Sequence, residues 1–393
     1  NHDKKQEETS NLLRGRRPAG GVNNNNGPGE DGEYPFFFFL FCEARHVKYF
    51  RRCLQVLPFT SVTFDTSRMA VLYFALSGLD LLDGLSELDI KERQHIINWI
   101  YSLQILPGND RDEQACAGFR GGTTLASCRG KSSCDAVSQL DCGHITMTYT
   151  ALASLIILGD DLSRVERPAV MAHVAALQCP DGSFFSTRGG SENDMRFMYC
   201  AAAICYILQD FSAINTTSAT KYILNSMSYE GAMGQGTHLE AHGGSSYCAI
   251  ATLHLLGKLD SSLSRTQRER LVRWLVGRQS GGGLQGRPNK PPDTCYAFWI
   301  GATLQILGAL DYLDTTALRQ FVLSTQDPIT GGLAKYPNSN PDGLHTYLGI
   351  SGLSLLRKDD LKPVDPALNI SQQALSHLHQ LHKNISKNPT VPC

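Results

Sequence analysis

Asp293 and Cys295 stand two residues apart in the stretch RPNKPPDTCYAFW, Arg287 to Trp299. Arg287 and Lys290 precede them and Tyr296 follows. A carboxylate and a thiolate can share one divalent cation. A third protein donor would make a catalytic zinc site, which keeps its fourth position open. Taken alone, D-x-C is as easily a packed cysteine beside a capping acid. Guanidinium, ammonium and phenol together suit an anion that needs many donors at fixed angles, such as a diphosphate. The competing reading of these cations is a solvated charged loop. The choice depends on where the chain places the remaining partners.

An internal repeat places them. Five segments align without gaps: HITMTYTALASLIIL (144–158), DMRFMYCAAAICYIL (194–208), HGGSSYCAIATLHLL (242–256), DTCYAFWIGATLQIL (293–307) and DGLHTYLGISGLSLL (342–356). Their last leucines, Leu158, Leu208, Leu256, Leu307 and Leu356, lie 48 to 51 residues apart. Nine residues before each stands an aromatic: Tyr149, Tyr199, Tyr247, Phe298 or Tyr347. Fourteen before each stands His144, Asp194, His242, Asp293 or Asp342. A sixth copy, RMAVLYFALSGLDLL (68–82), keeps Tyr73 but opens on Arg68.

Each segment is apolar nearly all round, which predicts a helix buried on several sides. Mixed segments such as SRTQRERLVRWLVGRQ alternate with them and predict amphipathic outer helices. Glycine-rich turns, CPDGSF, QSGGGL and PITGGL, join the two kinds. The predicted fold is all-α: a closed α/α barrel, or toroid, of about six helix pairs. Closure follows because no outermost repeat carries a polar face to cap an open stack.

In such a ring the inner helices open on one mouth, and their dipoles favour an anion there. The His or Asp that starts each helix is an N-cap type. For Asp194 and Asp342, capping alone is the expectation. Asp293 holds the first position of the frame, Cys295 the third, and His345 the fourth position of the next repeat. Neighbouring helices thus bring carboxylate, thiolate and imidazole together as metal ligands. Arg287, Lys290, His242 and Tyr296 surround them at the same mouth and suit a diphosphate. With an apolar, aromatic-lined barrel below, the expected ligand is a lipid diphosphate.

The bulk properties agree with a soluble globular protein. The chain has 393 residues, a formal charge of -1 and a pI near 6.9, so nothing pulls it toward nucleic acid or a membrane surface. PFFFFLF (35–41) is too short to span a bilayer. The twelve cysteines lie mostly within apolar segments, which suits free thiols in a reducing, cytoplasmic setting. Residues 1–45, with VNNNNGPGEDGE, predict a disordered tail, 46–383 the barrel domain, and 384–393 a short second tail. The N-x-S/T triplets at Asn215, Asn369 and Asn384 are chance matches.

From about His46 (HVKYFRRCLQVLP) to about His382 the chain resembles the β subunits of the protein prenyltransferases. GRPNKPPDTCYAFW, PDGLHTYLGISGLSLL, GSENDMRFMYC and LEAHGGSSYC carry the resemblance, which is strongest to the type I geranylgeranyl branch. It implies an α/α-barrel β subunit in obligate heterodimer with a helical α subunit. It implies one zinc ion on Asp293, Cys295 and His345, and a diphosphate site of His242, Arg287, Lys290 and Tyr296. His144, Glu192 and Arg196 would lie near the carboxylate end of the protein substrate. Thr146, Phe197 and Leu344 would line the pocket for its last residue. Ala70 stands where farnesyl members carry tryptophan, leaving room for a fourth isoprene unit. Lys335 stands where they carry a magnesium-assisting aspartate, so an ammonium would replace Mg2+ at the diphosphate. The implied reaction is transfer of geranylgeranyl from its diphosphate to C-terminal CaaX cysteines, CaaL above all, in proteins such as Rho-type small GTPases. The stretch 120–142 departs from the family pattern. The rival readings are the Rab-specific or farnesyl β subunits, or a non-catalytic repeat module. A terpene cyclase would need the acidic D-x-D-D, which LGDDLS lacks.

Overall fold

The computed structural model describes residues 40–55, 57, 59–106, 116–125, 142–190 and 192–387. The expected tail up to residue 39, residues 126–141 of the divergent stretch and the chain after 387 lie outside them. The described residues form fourteen α-helices: α1 (Glu43–Cys53), α2 (Arg68–Leu81), α3 (Ile90–Ser102), α4 (Ile145–Ile157), α5 (Arg167–Leu177), α6 (Met195–Leu208), α7 (Thr216–Asn225), α8 (Gly243–Leu255), α9 (Leu259–Ser262), α10 (Arg265–Val276), α11 (Tyr296–Ile306), α12 (Thr315–Ser324), α13 (Gly343–Leu356) and α14 (Gln372–Lys387). The helical body runs slightly past 46–383 at both ends, from Glu43 to Lys387. No described helix is long and apolar enough to cross a membrane.

The six apolar segments are α2, α4, α6, α8, α11 and α13. Each packs on the next, and α13 packs back on α2, so the inner ring closes. Their residues are buried on almost every side, as all-round apolarity requires. The outer helices α1, α3, α5, α7, α10 and α12 each precede one inner helix, giving six pairs. The predicted amphipathic segment is α10, opened by a capping box in which Ser264 and Gln267 exchange side-chain to backbone bonds.

A repeated glutamine, not foreseen from the sequence, stitches the outer layer. Gln104, Gln178, Gln279 and Gln326 each follow an outer helix and clasp the backbone that enters the next one. Gln178 accepts from Asn215 N at 2.8 Å and donates to Asn215 O at 3.2 Å. Gln279 does the same to Asp314, at 2.9 Å both ways. Gln104 accepts from Glu166 N and donates to Arg164 O, both at 3.0 Å. Gln326 closes the circle: it donates to Leu40 O at 2.8 Å and accepts from Cys42 N at 3.3 Å, just before α1. Each clasp gives the entering backbone an acceptor for its N–H and a donor on a nearby carbonyl, worth about 1 kcal/mol per bond.

The aromatic frame position closes the barrel from inside. The hydroxyls of Tyr347, Tyr73, Tyr149, Tyr199 and Tyr247 run in series, 3.2 to 3.3 Å apart. They also bond the carbonyls of Asn369 (Tyr73 at 2.6 Å, and Tyr347), Leu368 (Tyr149 at 2.8 Å) and Ala367 (Tyr199 at 3.0 Å, Tyr247 at 3.3 Å). Five of the six inner helices therefore grip one short segment, which lies across the ring axis. Asn369 is 4% exposed, so its triplet is indeed no surface acceptor site.

At the seam where α1 meets α12, His46 is fully buried. Its Nδ1 accepts from Gly332 N at 2.9 Å and its Nε2 lies 3.3 Å from Gln326 Oε1, which fixes the neutral tautomer. Burial holds its pKa down at about 4, against a partial lift from Gln326. The unfolded chain, with a pKa near 6.5, binds the proton first as pH falls. This site therefore costs stability between pH 6.5 and 4, up to about 3 kcal/mol at about 1.4 per unit. His46→Gln should start from a lower urea midpoint at pH 7.5 but lose less on acidification. An equally steep acid slope in the variant would remove His46 as its source.

Candidate active site

The residues that start the inner helices cap them with their own side chains. His144 Nδ1 accepts from Thr146 N, Asp194 Oδ1 from Arg196 N, His242 Nδ1 from Gly244 N, Asp293 Oδ1 from Cys295 N and Asp342 Oδ1 from His345 N, at 2.9 to 3.2 Å. All five therefore stand at the same mouth. In the fourth repeat the helix proper begins at Tyr296, two residues later than the alignment places it. Tyr296 N bonds Asp293 O and Ala297 N bonds Thr294 O, both at 3.1 Å, so the first turn is tightened to 3₁₀ spacing. That turn presents Asp293 and Cys295 side by side.

Asp293, Cys295 and His345 come together as expected: their donor atoms all lie within 4.8 Å of one another. Asp293 and Cys295 are each 7% exposed. His345 Nε2 lies 3.3 Å from Asp293 Oδ1, and Lys335 Nζ lies 3.7 Å from Asp293 Oδ2. Burial, then the neighbouring carboxylate, pushes the Cys295 thiol well above its usual range. A buried acid and a buried thiol side by side need a cation to ionise together, so the donor set fits a divalent metal with an open position.

Capping is not all that Asp342 does. Its Oδ2 accepts from His345 Nδ1 at 2.6 Å, so the His345 lone pair left for a metal is on Nε2, the side facing Asp293. The signal was in the sequence as D-x-x-H at a helix start. Asp342→Asn keeps a cap but loses the carboxylate behind the imidazole. Its metal affinity should fall about 10- to 100-fold in a chelator competition. Wild-type affinity in that variant would deny Asp342 this role. Asp194 also exceeds capping: it pairs with Arg196 at 2.6 Å and accepts from Gln235 Nε2 at 3.1 Å.

The cationic side is built from three loops. His242 Nε2 lies 3.0 Å from the Tyr296 hydroxyl. Because its Nδ1 accepts from the helix, Nε2 carries the proton and donates to Tyr296, which leaves the phenolic hydrogen for another acceptor. Burial, then Arg287, lowers the His242 pKa and keeps the ring neutral. Gly286, not singled out in the sequence, makes room for this phenol: a Cβ there would stand 2.2 Å from the Tyr296 ring and hydroxyl. Arg287 pairs with Glu240 at 2.7 Å, and Lys290 is exposed on the loop before Asp293.

A second group gathers at the entry to α4 and α6. Glu192 pairs with Arg196 at 3.5 Å, and the Arg196 guanidinium lies 5.2 Å from the centre of the Phe197 ring. Phe197 meets His144 edge-on, with centroids 6.1 Å apart. Thr146 is on the first turn of α4, where Cys200 Sγ reaches its hydroxyl at 3.6 Å. Burial lowers the pKa of His144 to about 4. Ala70 is half-buried on the first turn of α2, and Leu344, 37% exposed, is on the first turn of α13 beside His345. Among the described residues the nine cysteines are unpaired thiols.

The chain is thus a closed six-pair helical ring with Asp293, Cys295 and His345 grouped among cations at its mouth. A family model described as the prenyltransferase alpha-alpha toroid domain matches residues 41–370, and the chain belongs to that family. Its similarity within the family runs to the β subunits of type I protein geranylgeranyltransferases, the branch that the blocks from His46 to His382 resemble. The geranylgeranyl transferase type-1 subunit beta of Dictyostelium discoideum is 42% identical over 341 residues, 84% of this chain and 96% of its own. That of Arabidopsis thaliana is 38% identical over 338 residues, 84% of this chain and 89% of its own. The solved structure of Candida albicans protein geranylgeranyltransferase-I complexed with GGPP matches with a TM-score of 0.77 at 26% identity, covering 87% of this chain and 99% of that one.

Proposed function

We propose that this chain is the β subunit of a heterodimer that moves a geranylgeranyl group from geranylgeranyl diphosphate to the cysteine of a C-terminal CaaX sequence, preferably one ending in Leu. The observation that carries the reading is the convergence of Asp293, Cys295 and His345 beside Lys335, with the Arg287 and Lys290 loop just before the two donors in the chain and Tyr296 just after them. The relatives support the lipid, since the Candida enzyme is complexed with GGPP. The α subunit, the Rho-type acceptors and a cytoplasmic setting belong to this same reading.

Asp293, Cys295 and His345 would hold zinc, which when bound lowers the pKa of the acceptor thiol and leaves its sulfur anionic but nucleophilic. The sulfur attacks carbon 1 of the lipid, the carbon–oxygen bond breaks, and diphosphate leaves with the electron pair. Arg287, Lys290 and Lys335 take up the negative charge as it develops, and Tyr296, oriented by His242, donates its hydroxyl hydrogen. The aromatic wall of the barrel, with part-exposed Trp299 beside Cys295, would exclude water and hold the isoprenoid. His144, Glu192 and Arg196 lie toward the acceptor's carboxylate, with Thr146, Phe197 and Leu344 around its last side chain. Lys335 does locally what a second metal would do, so no Mg2+ is required.

The test is turnover of the chain co-expressed with a prenyltransferase α subunit, without added Mg2+ and then with it. Full activity without Mg2+ on peptides ending in Leu is expected. Strict dependence on Mg2+ would overturn the role of Lys335, and preference for peptides ending in Ser or Met would overturn the acceptor class.

A further inference from the structure

Thr294 stands between two metal donors yet faces neither the metal nor the mouth. It is fully buried. Its Oγ1 lies 2.6 Å from Ala334 O and 3.2 Å from Lys335 O, and 3.1 Å from Thr325 Oγ1. Its backbone N–H donates to Lys335 O at 3.2 Å. Ala334 N is tied back in turn to Thr325 O at 2.9 Å. The turn that carries Asp293 and Cys295 is thus bonded directly to the backbone of Lys335. The other half of the side chain packs: a Cβ on Gly349 would come within 2.8 Å of the Thr294 Cγ2 methyl.

We propose that Thr294 is a positioning residue that sets the distance between the metal donors and the Lys335 ammonium. The inference rests on the reading of Lys335 given above. The hydroxyl gives its one hydrogen chiefly to Ala334 O at 2.6 Å, and the Thr294 N–H holds Lys335 O at 3.2 Å, so the carbonyls on both sides of the Lys335 Cα are held and the lysine stem alone is free. That stem ends 3.7 Å from Asp293, half exposed toward the mouth. The ammonium would then meet the leaving diphosphate, with Asp293 and Cys295, which would hold the metal, one residue either side of Thr294. A displacement of about 1 Å in such a charge costs rate without unfolding the site.

The two halves of the side chain can be removed separately. Thr294→Val keeps the methyl packing and loses the hydroxyl, and Thr294→Ser does the reverse. Both are compared, as heterodimer, with wild type and Lys335→Ala. Turnover is read with and without Mg2+, and geranylgeranyl diphosphate binding is read on the metal-free complex. Thr294→Val should lose about tenfold in kcat at unchanged peptide KM, bind the lipid severalfold more weakly, and recover most turnover when Mg2+ is added. Thr294→Ser should stay within about twofold of wild type. Wild-type behaviour of Thr294→Val, an equal loss in Thr294→Ser, or no rescue by Mg2+ would each overturn the brace. If Lys335→Ala is itself silent, the reading of Lys335 falls and the brace with it. If Lys335→Ala is slow and Mg2+-dependent while Thr294→Val matches wild type, the brace alone falls.

Discussion

Cys295→Ala is expected to remove bound metal and to lower turnover by at least about a thousandfold, since the metal supplies several kcal/mol to the reaction. Without a cation the Cys295 thiol is held protonated by burial and by Asp293. His345 is held cationic instead, its pKa raised to about 9 because the bonds to Asp293 and Asp342 outweigh the burial that opposes charge. Asp293, His345 and Lys335 then form a closed ion cluster in the space a metal would share. Removing the one soft donor tips the balance toward that cluster. The side chain is small and the inner helix is capped independently by Asp293, so the fold should survive. Metal content of the purified complex and single-turnover transfer should fall together. Stoichiometric metal with full turnover in the variant would show that the triad has been misassigned.

Ala70→Trp should turn lipid selectivity toward farnesyl diphosphate. Ala70 is on the first turn of α2, and α2 is fixed there by Met69 N bonding Gly121 O at 2.9 Å. An indole at that position fills the space read as the place of the fourth isoprene unit. Each buried methylene is worth about 0.8 kcal/mol, so excluding five carbons costs roughly 3 to 4 kcal/mol. Geranylgeranyl transfer should fall about 100-fold or more in kcat/KM while farnesyl transfer rises. An unchanged lipid ratio would place the lipid end elsewhere in the barrel.

The parts of this molecule that repeat were readable from the chain. The apolar segments and their aromatic position recur every fifty residues or so because each inner helix meets the same surroundings. The grouping of Asp293, Cys295 and His345 was legible for the same reason: they occupy defined positions of one frame, and the ring puts neighbouring frames in contact. What escaped has no such period. The clasping glutamines are unevenly spaced, since the stretch after Gln104 carries a long insertion and Met227 stands at the corresponding bridge after α7. The plug at Ala367–Asn369 bears no local mark, because its partners are tyrosines contributed by five distant helices. Asp342 reads as a cap until its second oxygen is seen on His345 three residues on, and Thr294 carries no sequence signal because its partners Thr325, Ala334 and Lys335 are 31 to 41 residues away. Helix α11 starts late because its first turn is wound at 3₁₀ spacing, a detail that alignment to the other repeats erases.

The reaction proposed for the mouth of this barrel joins a geranylgeranyl group to a cysteine sulfur. The most direct measurement is the mass of an acceptor peptide ending in Cys-aliphatic-aliphatic-Leu after incubation with the heterodimer and equal amounts of geranylgeranyl and farnesyl diphosphate, without Mg2+. The peptide should gain one geranylgeranyl group on its cysteine, and its Cys→Ser counterpart nothing. A farnesylated product, or an unmodified peptide in the presence of metal-loaded complex, would contradict the account.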